Sequence, residues 1–325
     1  ANATAVVRDV ATVEMADTGT SGAPRPGSST QALEGPLSTL VGTQRVNLPA
    51  RMMAVNAAAT KAYVLTVSGL SIVSLAAAAP NGPALTINTN GIVNNASYLT
   101  GLAPGSIVTV FGQNLATDAK VENGAPLPTS MGGVCVTLDD VPVPLLMTSA
   151  GQINFQLPTD TKTGTHALII RAPERGLATT SRNITVAKYA PAVYIDPNTK
   201  MAAVYRYDGT PVSTARRAKR DELLMLFASG LGVTTGAKVT TGQPVPATPE
   251  AETDALKVFF GDPRYSQAEM IVDWSGLVPG FIGMYRVDLR VPGDHLKGDA
   301  LPVRIRIGGI DSPVTGSPAP VVALE

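Results

Sequence analysis

The sequence predicts an all-β protein: an N-terminal β region followed by two tandem β-sandwiches. Three observations carry that expectation. Charged residues are only 15% of 325, so helices with long charged faces are scarce. Gly (31) and Pro (26) are frequent, which suits many short strands parted by turns. Finally, one phrase occurs twice, as "GSIVTVFGQNLA" at 105–116 and as "DELLMLFASGLG" at 221–232.

Taken in chain order, residues 1–84 differ from the rest. "TAVVRDVATVEM" (4–15) alternates like a strand and is followed by "DTGTSGAPRPGSSTQ", a loop by composition. Three further strands are expected at Met52–Asn56, Ala62–Thr66 and Leu70–Leu75, with turns at Ala57–Lys61 and Val67–Gly69. This meander resembles one blade of a β-propeller. A single blade cannot bury both of its faces, so it needs further blades or a neighbouring surface. The stretch 62–79 has 18 residues without a charge, the lower limit for a membrane span. Its Thr66, Ser68, Ser71 and Ser74, and the break at Gly69, favour a buried hairpin, and no transmembrane segment is expected.

The internal repeat occupies 85–190 and 191–325. Phe111 falls on Phe227 at an offset of 116, and Ile107, Val110 and Leu115 then fall on Leu223, Leu226 and Leu231. Downstream, "GQINFQLP" (151–158) matches "MYRVDLRVP" (284–292) at an offset of 134, with Ile153 on Val287, Phe155 on Leu289 and Gly164 on Gly298. The second copy therefore carries insertions, expected in loops at 240–254 and 273–281. Both copies alternate with period two. Ile153, Phe155 and Leu157 form one face and Asn154 and Gln156 the other; Val287, Leu289 and Val291 face in while Asp288 and Arg290 face out. One dry face and one wet face per strand is the pattern of antiparallel sandwiches, and the Gly/Pro-punctuated strands suit the immunoglobulin-like type. Phe111 and Phe227 are expected in equivalent core positions.

The motifs "NNASYLTGLAPGSIVTVFGQNLA", "LPTSMGGVCVTLDDVPVPLLMTSAGQINFQLP", "ASGLG", "GLVPGFIGMYRVDLRVP" and "VRIRIGG" occur in that order. Over roughly residues 90–325 they resemble a C-terminal domain family of secreted acidobacterial proteins of the Solibacter type. "PGSIVTVFGQNL" is in addition similar to the opening strand of IPT/TIG immunoglobulin-like domains. The resemblance implies a non-enzymatic module of secreted or surface proteins, often placed after a β-propeller. It assigns no catalytic or binding residue.

Chemistry has few candidates. His166 stands at the start of a strand in "GTHALII" and His295 in a turn, "PGDHLKG"; no G-x-S-x-G elbow accompanies either. Two histidines and one cysteine, far apart, do not have zinc spacing. Asp139–Asp140 reads as a hairpin turn. Glu250, Glu252 and Asp254 offer carboxylates for a structural calcium but no EF-hand spacing. The only basic cluster, Arg216, Arg217, Lys219 and Arg220, is followed at once by Asp221 and Glu222 and reads as a solvated turn. With a net charge of zero, nothing recruits nucleic acid. Cys135, the single cysteine, makes no internal disulfide and alternates against Val134, Val136 and Leu138. Trp274, the single tryptophan, and Phe281 mark an apolar loop, a candidate interface or binding loop.

No cofactor, metal or catalytic residue is expected. The sequence reads as a non-catalytic structural or adhesive protein, extracellular or on a bacterial surface. Its expected partners are copies of itself or other surface proteins. Val6, Val7, Val10 and Val13 form a candidate assembly strand, able to add to another chain's sheet edge and build a filament. The alternatives are a glycan- or peptide-binding module, or accessory domains of a secreted enzyme. "ANATAVVRDV" has no basic start or apolar run of a signal peptide and suits a processed end.

Overall fold

The computed structural model describes residues 53–55, 61–66, 69–74, 80–315 and 319–325. Among them there is no α-helix, only one 3-10 turn at Pro173–Arg175. The N-terminal strands are β1 (Met53–Val55), β2 (Lys61–Thr66) and β3 (Gly69–Ser74). They pair as an antiparallel meander in the order β1-β2-β3. The uncharged stretch at 62–79 thus contains a hairpin, with Thr66 opposite Gly69. The candidate strand carrying Val6, Val7, Val10 and Val13 lies outside the described residues.

Residues 83–172 and 177–325 form one compact unit containing two cores. In the first sandwich, β4 (Thr86–Asn94), β5 (Ile107–Gln113), β6 (Lys120–Val121), β9 (Leu145–Thr148) and β10 (Gln152–Gln156) make one sheet, ordered β4-β5-β10-β9-β6. The facing sheet holds β7 (Cys135–Leu138), β8 (Val141–Pro142), β11 (Gly164–Ala172), β12 (Leu177–Ala178) and β13 (Arg182–Val186). Val108, Val110, Ile153 and Phe155 from the first sheet meet Val136, Leu168 and Ile170 from the second, all fully buried.

The second sandwich uses β14 (Ala192–Val193), β15 (Val204–Arg206), β16 (Leu223–Ser229), β17 (Thr235–Gly236), β18 (Ala251–Glu252), β19 (Leu256–Asp262), β20 (Ser266–Leu277), β21 (Tyr285–Arg290), β22 (Gly298–Ile307), β23 (Ile310–Asp311) and β24 (Val321–Leu324). Here the two faces are not separate sheets. The front of β20 pairs with β19 and its rear with β21, so one hydrogen-bonded sheet runs β14-β16-β21-β20-β19-β22-β23. A bulge between Val272 and Trp274 turns the strand from one face to the other. Leu224, Leu226, Val287 and Leu289 pack against Val258, Phe260, Val303 and Ile305 in its core.

The repeated phrase is a central strand, a left-handed residue and a buried leucine. Asn114 (φ 56°) and Gly230 (φ 75°) stand 116 positions apart, as do Leu115 and Leu231, both fully buried. The two phenylalanines correct the core expectation. Phe111 and Phe227 are equivalent but only half-buried, because the inward positions are held by Val108 and Val110, and by Leu224 and Leu226. Each instead packs on the outer face against a tyrosine: Tyr98 with ring centroids 6.0 Å away, and Tyr205 at 5.7 Å in an edge-on arrangement.

Two other outward residues are also dry. Gln156 is 1% exposed and Asp288 7% exposed. The outer face is wet only where nothing covers it. Gln156 is covered by the second sandwich, and Asp288 lies beside Arg286 and opposite Trp274. The insertion expected as a loop at 273–281 is half strand, since β20 continues to Leu277 and only the residues after it form a loop.

Candidate binding cleft at the sandwich junction

The two sandwiches meet through polar groups contributed by loops and strand ends. Gln156, the last residue of β10, accepts the Gly242 N–H at 2.6 Å on Oε1, and its Nε2 donates to the Gly105 carbonyl at 3.4 Å. The Gly242 carbonyl accepts the Leu127 N–H at 2.8 Å. Thr159 donates its N–H to the Thr241 hydroxyl at 3.0 Å, and Ala190 donates to the Gly230 carbonyl at 2.9 Å. Gly230 is glycine for a local reason. It is left-handed, and a Cβ there would lie 2.0 Å from the Ala190 carbonyl oxygen. Asn114, its counterpart in the first sandwich, is also left-handed and donates its side-chain amide to the Ala84 carbonyl.

A cleft of about 520 Å³ opens beside this lock. The loop from β10 to β11, "TDTKT" at 159–163, forms one wall, and Gly232–Thr234 with Lys188 forms the other. Leu277, Val239 and Tyr285 make the apolar floor. Tyr285 is 1% exposed; its hydroxyl donates to the Gly232 carbonyl, and burial pushes its pKa far up, so it stays neutral. Asp160 and Lys162 are exposed on the rim and make no ion pair among the described residues. Lys188 pairs with half-exposed Asp254 at 3.2 Å.

The β10–β11 loop is held from behind by His166. Its Nδ1 lies 2.6 Å from Asp139 Oδ2 and its Nε2 lies 2.8 Å from the Lys162 carbonyl. Both neighbours are acceptors, so only the doubly protonated ring donates to both. The hydrogen bond that His166 donates to Asp139 raises the His166 pKa, and the bonds Asp139 accepts from the Ala167 N–H and from His166 lower that of Asp139. Asp139 and Asp140 do form the hairpin turn expected of them, both with positive φ. The larger role of Asp139 in anchoring His166 was not legible.

The remaining candidates are scattered. Trp274 sits on β20, not in a loop, with its ring 4.9 Å beneath the Arg286 guanidinium and against Gly276 of its own sandwich. Phe281 is in the loop after β20, 53% exposed, its carbonyl accepting the Val245 N–H. His295 places Nδ1 at the Pro292 carbonyl and Nε2 at the Glu325 carbonyl, fastening the C-terminal strand. Cys135 is half-buried on the outer face opposite Arg171, and burial pushes its thiol pKa up. Arg217 pairs with Asp299, while Arg206 donates to the Arg216 and Arg217 carbonyls and pairs with Glu222, so the basic cluster is a fastened turn. Asp254 accepts from the Tyr189 hydroxyl as well as from Lys188. Among the described residues no three His, Cys, Asp or Glu side chains come together as metal ligands, and no helix is long and apolar enough to cross a membrane. The cleft itself was missed. Its one sequence signal was "TDTKTGT", where hydroxyl and charged residues alternate between two apolar strands.

No family model matches the chain, and no curated protein does. Among solved structures, the chain is similar to FdeC, an adhesin of Escherichia coli described as eliciting protection against urinary tract infections. The identity is 13%, the alignment covers 82% of this chain and 74% of that one, and the TM-score is 0.20. A TM-score of that size does not establish a shared arrangement of the strands.

Proposed function

We propose that the chain is a non-catalytic structural or adhesive component of an extracellular surface, of the secreted acidobacterial type its motifs resemble. The observation that carries this reading is the lock between the sandwiches, centred on buried Gln156 and Gly242. Opening it would exchange several hydrogen bonds between the sandwiches for bonds to water, at about 0.5–1.5 kcal/mol each, so the pair resists bending where a bare linker would not. A stiff spacer that holds a contact surface away from a cell needs that property. Both histidines and the basic cluster are engaged in fastening loops and strands, which supports the same reading.

The test is retention under flow. Beads coated with the chain should be held on a bacterial-surface or polysaccharide layer, and Gln156→Leu should reduce retention and broaden the scattering-derived interdomain distance distribution. Beads that wash off every such layer would sink the proposal. So would a turnover that disappears from a folded variant replacing His166, His295 and Cys135 together. A finer proposal is self-association by strand addition through Val6, Val7, Val10 and Val13. Deleting residues 1–16 should then leave a folded monomer; a native chain already monomeric at high concentration ends that idea. The second reading, a binding module, is favoured by the junction cleft, with its apolar floor and charged rim between two domains.

A further inference from the structure

We infer that protonation of His166 tightens the hold between the two sandwiches, so the junction is stiffer in mildly acidic than in alkaline surroundings; this rests on the stiff-spacer reading. The ring, 14% exposed, stands between two acceptors. Nδ1 faces Asp139 Oδ2 at 2.6 Å, and Nε2 faces the Lys162 carbonyl at 2.8 Å. A neutral imidazole carries one N–H and one lone pair, so it serves only one of them. The carboxylate is the stronger acceptor and keeps the proton on Nδ1. The Nε2 lone pair then faces the Lys162 carbonyl oxygen, and the loop loses its donor. Deprotonation therefore acts on the loop and spares the β7–β8 turn.

The same loop touches the second sandwich. Thr159 donates its N–H to Thr241 Oγ1 at 3.0 Å, and the two hydroxyls lie 3.1 Å apart. Thr241 precedes Gly242, whose N–H goes to Gln156, so both contacts belong to one patch. From Pro158 to Thr161 the chain is a closed turn. The Thr161 N–H and hydroxyl both donate to the Pro158 carbonyl, at 3.1 and 2.8 Å. A turn closed twice moves as one piece, so a shift at Lys162 reaches Thr159. The surrounding charges leave His166 in control. From the β7–β8 turn, Asp139 takes the bond, and Asp140 is engaged by Arg171. Opposite His166 on β13 stands apolar Ile184. On the loop, Asp160 and Lys162 are exposed. The bond to Asp139 raises the His166 pKa above 6.5, so the hold is complete below that value and is lost as pH rises through the folded pKa.

Hydrogen exchange of the Thr159 amide in the whole chain, corrected for the intrinsic effect of pH, tests this. It is read beside the NMR titration of the His166 ring and the scattering-derived interdomain distance distribution. From about pH 5.5 to about pH 9, protection of Thr159 should fall about two- to tenfold, the factor one net hydrogen bond supplies. Its midpoint should match that of the ring, and the distance distribution should broaden. Asp139→Asn removes the charge that favours the cation and should move both midpoints to lower pH. His166→Leu should hold Thr159 at its alkaline level at every pH; should that variant not fold, Asp139→Asn decides. Protection that ignores pH, a midpoint apart from that of the ring, or an unchanged titration in a folded variant overturns the proposal. So does a distance distribution that stays fixed while Thr159 titrates. Gln156→Leu separates the two readings. If it broadens the distribution and pH does not, only the His166 gate is wrong; if neither does, the stiff-spacer reading falls with it.

Discussion

In the first sandwich the chain crosses from one sheet to the other at Pro142-Val143-Pro144, between β8 and β9. In the second it makes the same passage within one strand, β20, bending at Val272–Trp274. The other pairings correspond, β5 with β16, β6 with β18, β7 with β19, β10 with β21, β11 with β22, β12 with β23 and β13 with β24, and only the short ladder of β17 on β18 is an addition of the second sandwich. The bulged strand β4 corresponds to β14 and β15 together, its bulge opened into the loop that carries Asp196. Prolines donate no ladder hydrogen bond and cut the strand; a bulge keeps both ladders and bends it. One wiring diagram therefore tolerates two corner devices, because the corner has only to deliver inward residues to both faces of the core.

The comparison is most sharply tested in the cores. Phe155→Ala should destabilise the first sandwich by about 3–5 kcal/mol, and Leu289→Ala, its counterpart at offset 134, should cost the second about 2–5 kcal/mol. Denaturant unfolding measures both. A loss under about 1 kcal/mol at either position breaks the equivalence.

At the junction, Gln156→Leu should cost about 1–3 kcal/mol by leaving the Gly242 N–H without its acceptor. Hydrogen exchange at Gly242 should accelerate while the core amides of both sandwiches keep their protection. Unchanged exchange there would mean that the sandwiches are not coupled through this residue.

Smaller effects belong to the outer faces. Phe111→Ala and Phe227→Ala should each cost about 1–2 kcal/mol, below the core variants and similar to one another, since both rings are half-buried against a tyrosine. A clear inequality in calorimetric melting would show that the two aromatic pairs are not equivalent.

The smallest effect separates the sandwiches by pH. The His166 pKa is raised from 6.5, so its contribution is complete below that value and fades as pH rises through the folded pKa. The Asp139 pKa is lowered from 3.8, so its contribution is complete above that value and fades as pH falls through the folded one. The clamp is thus fully engaged between roughly pH 4 and 6.5. His166→Ala should destabilise the first sandwich by about 0.2–1 kcal/mol at pH 5.5 and by less at pH 9. A loss that grows with pH would contradict the assignment of a doubly protonated ring.

Much of the architecture was legible because it rests on local rules. Period-two alternation placed β10 and β21 and their inward residues, turn chemistry placed the Asp139–Asp140 hairpin, and the repeated phrase paired Leu115 with Leu231. Alternation also says which residues leave the core, but it does not say what waits outside. It could not tell that Gln156 would be sealed by a second domain, that Asp288 would be buried beside Arg286, or that Phe111 and Phe227 would stand outside on tyrosines. It missed the cleft for the same reason. Thr163 and Lys162 come from one sandwich, Thr234 from the other and Lys188 from the chain between them, and no spacing along the chain brings them together. The strand pattern follows from the alternation of side chains across a pleated backbone, which each segment carries by itself. The junction depends on how two finished sandwiches dock, and that was decided only when Gly230, Gly242 and Gln156 met their partners across the interface.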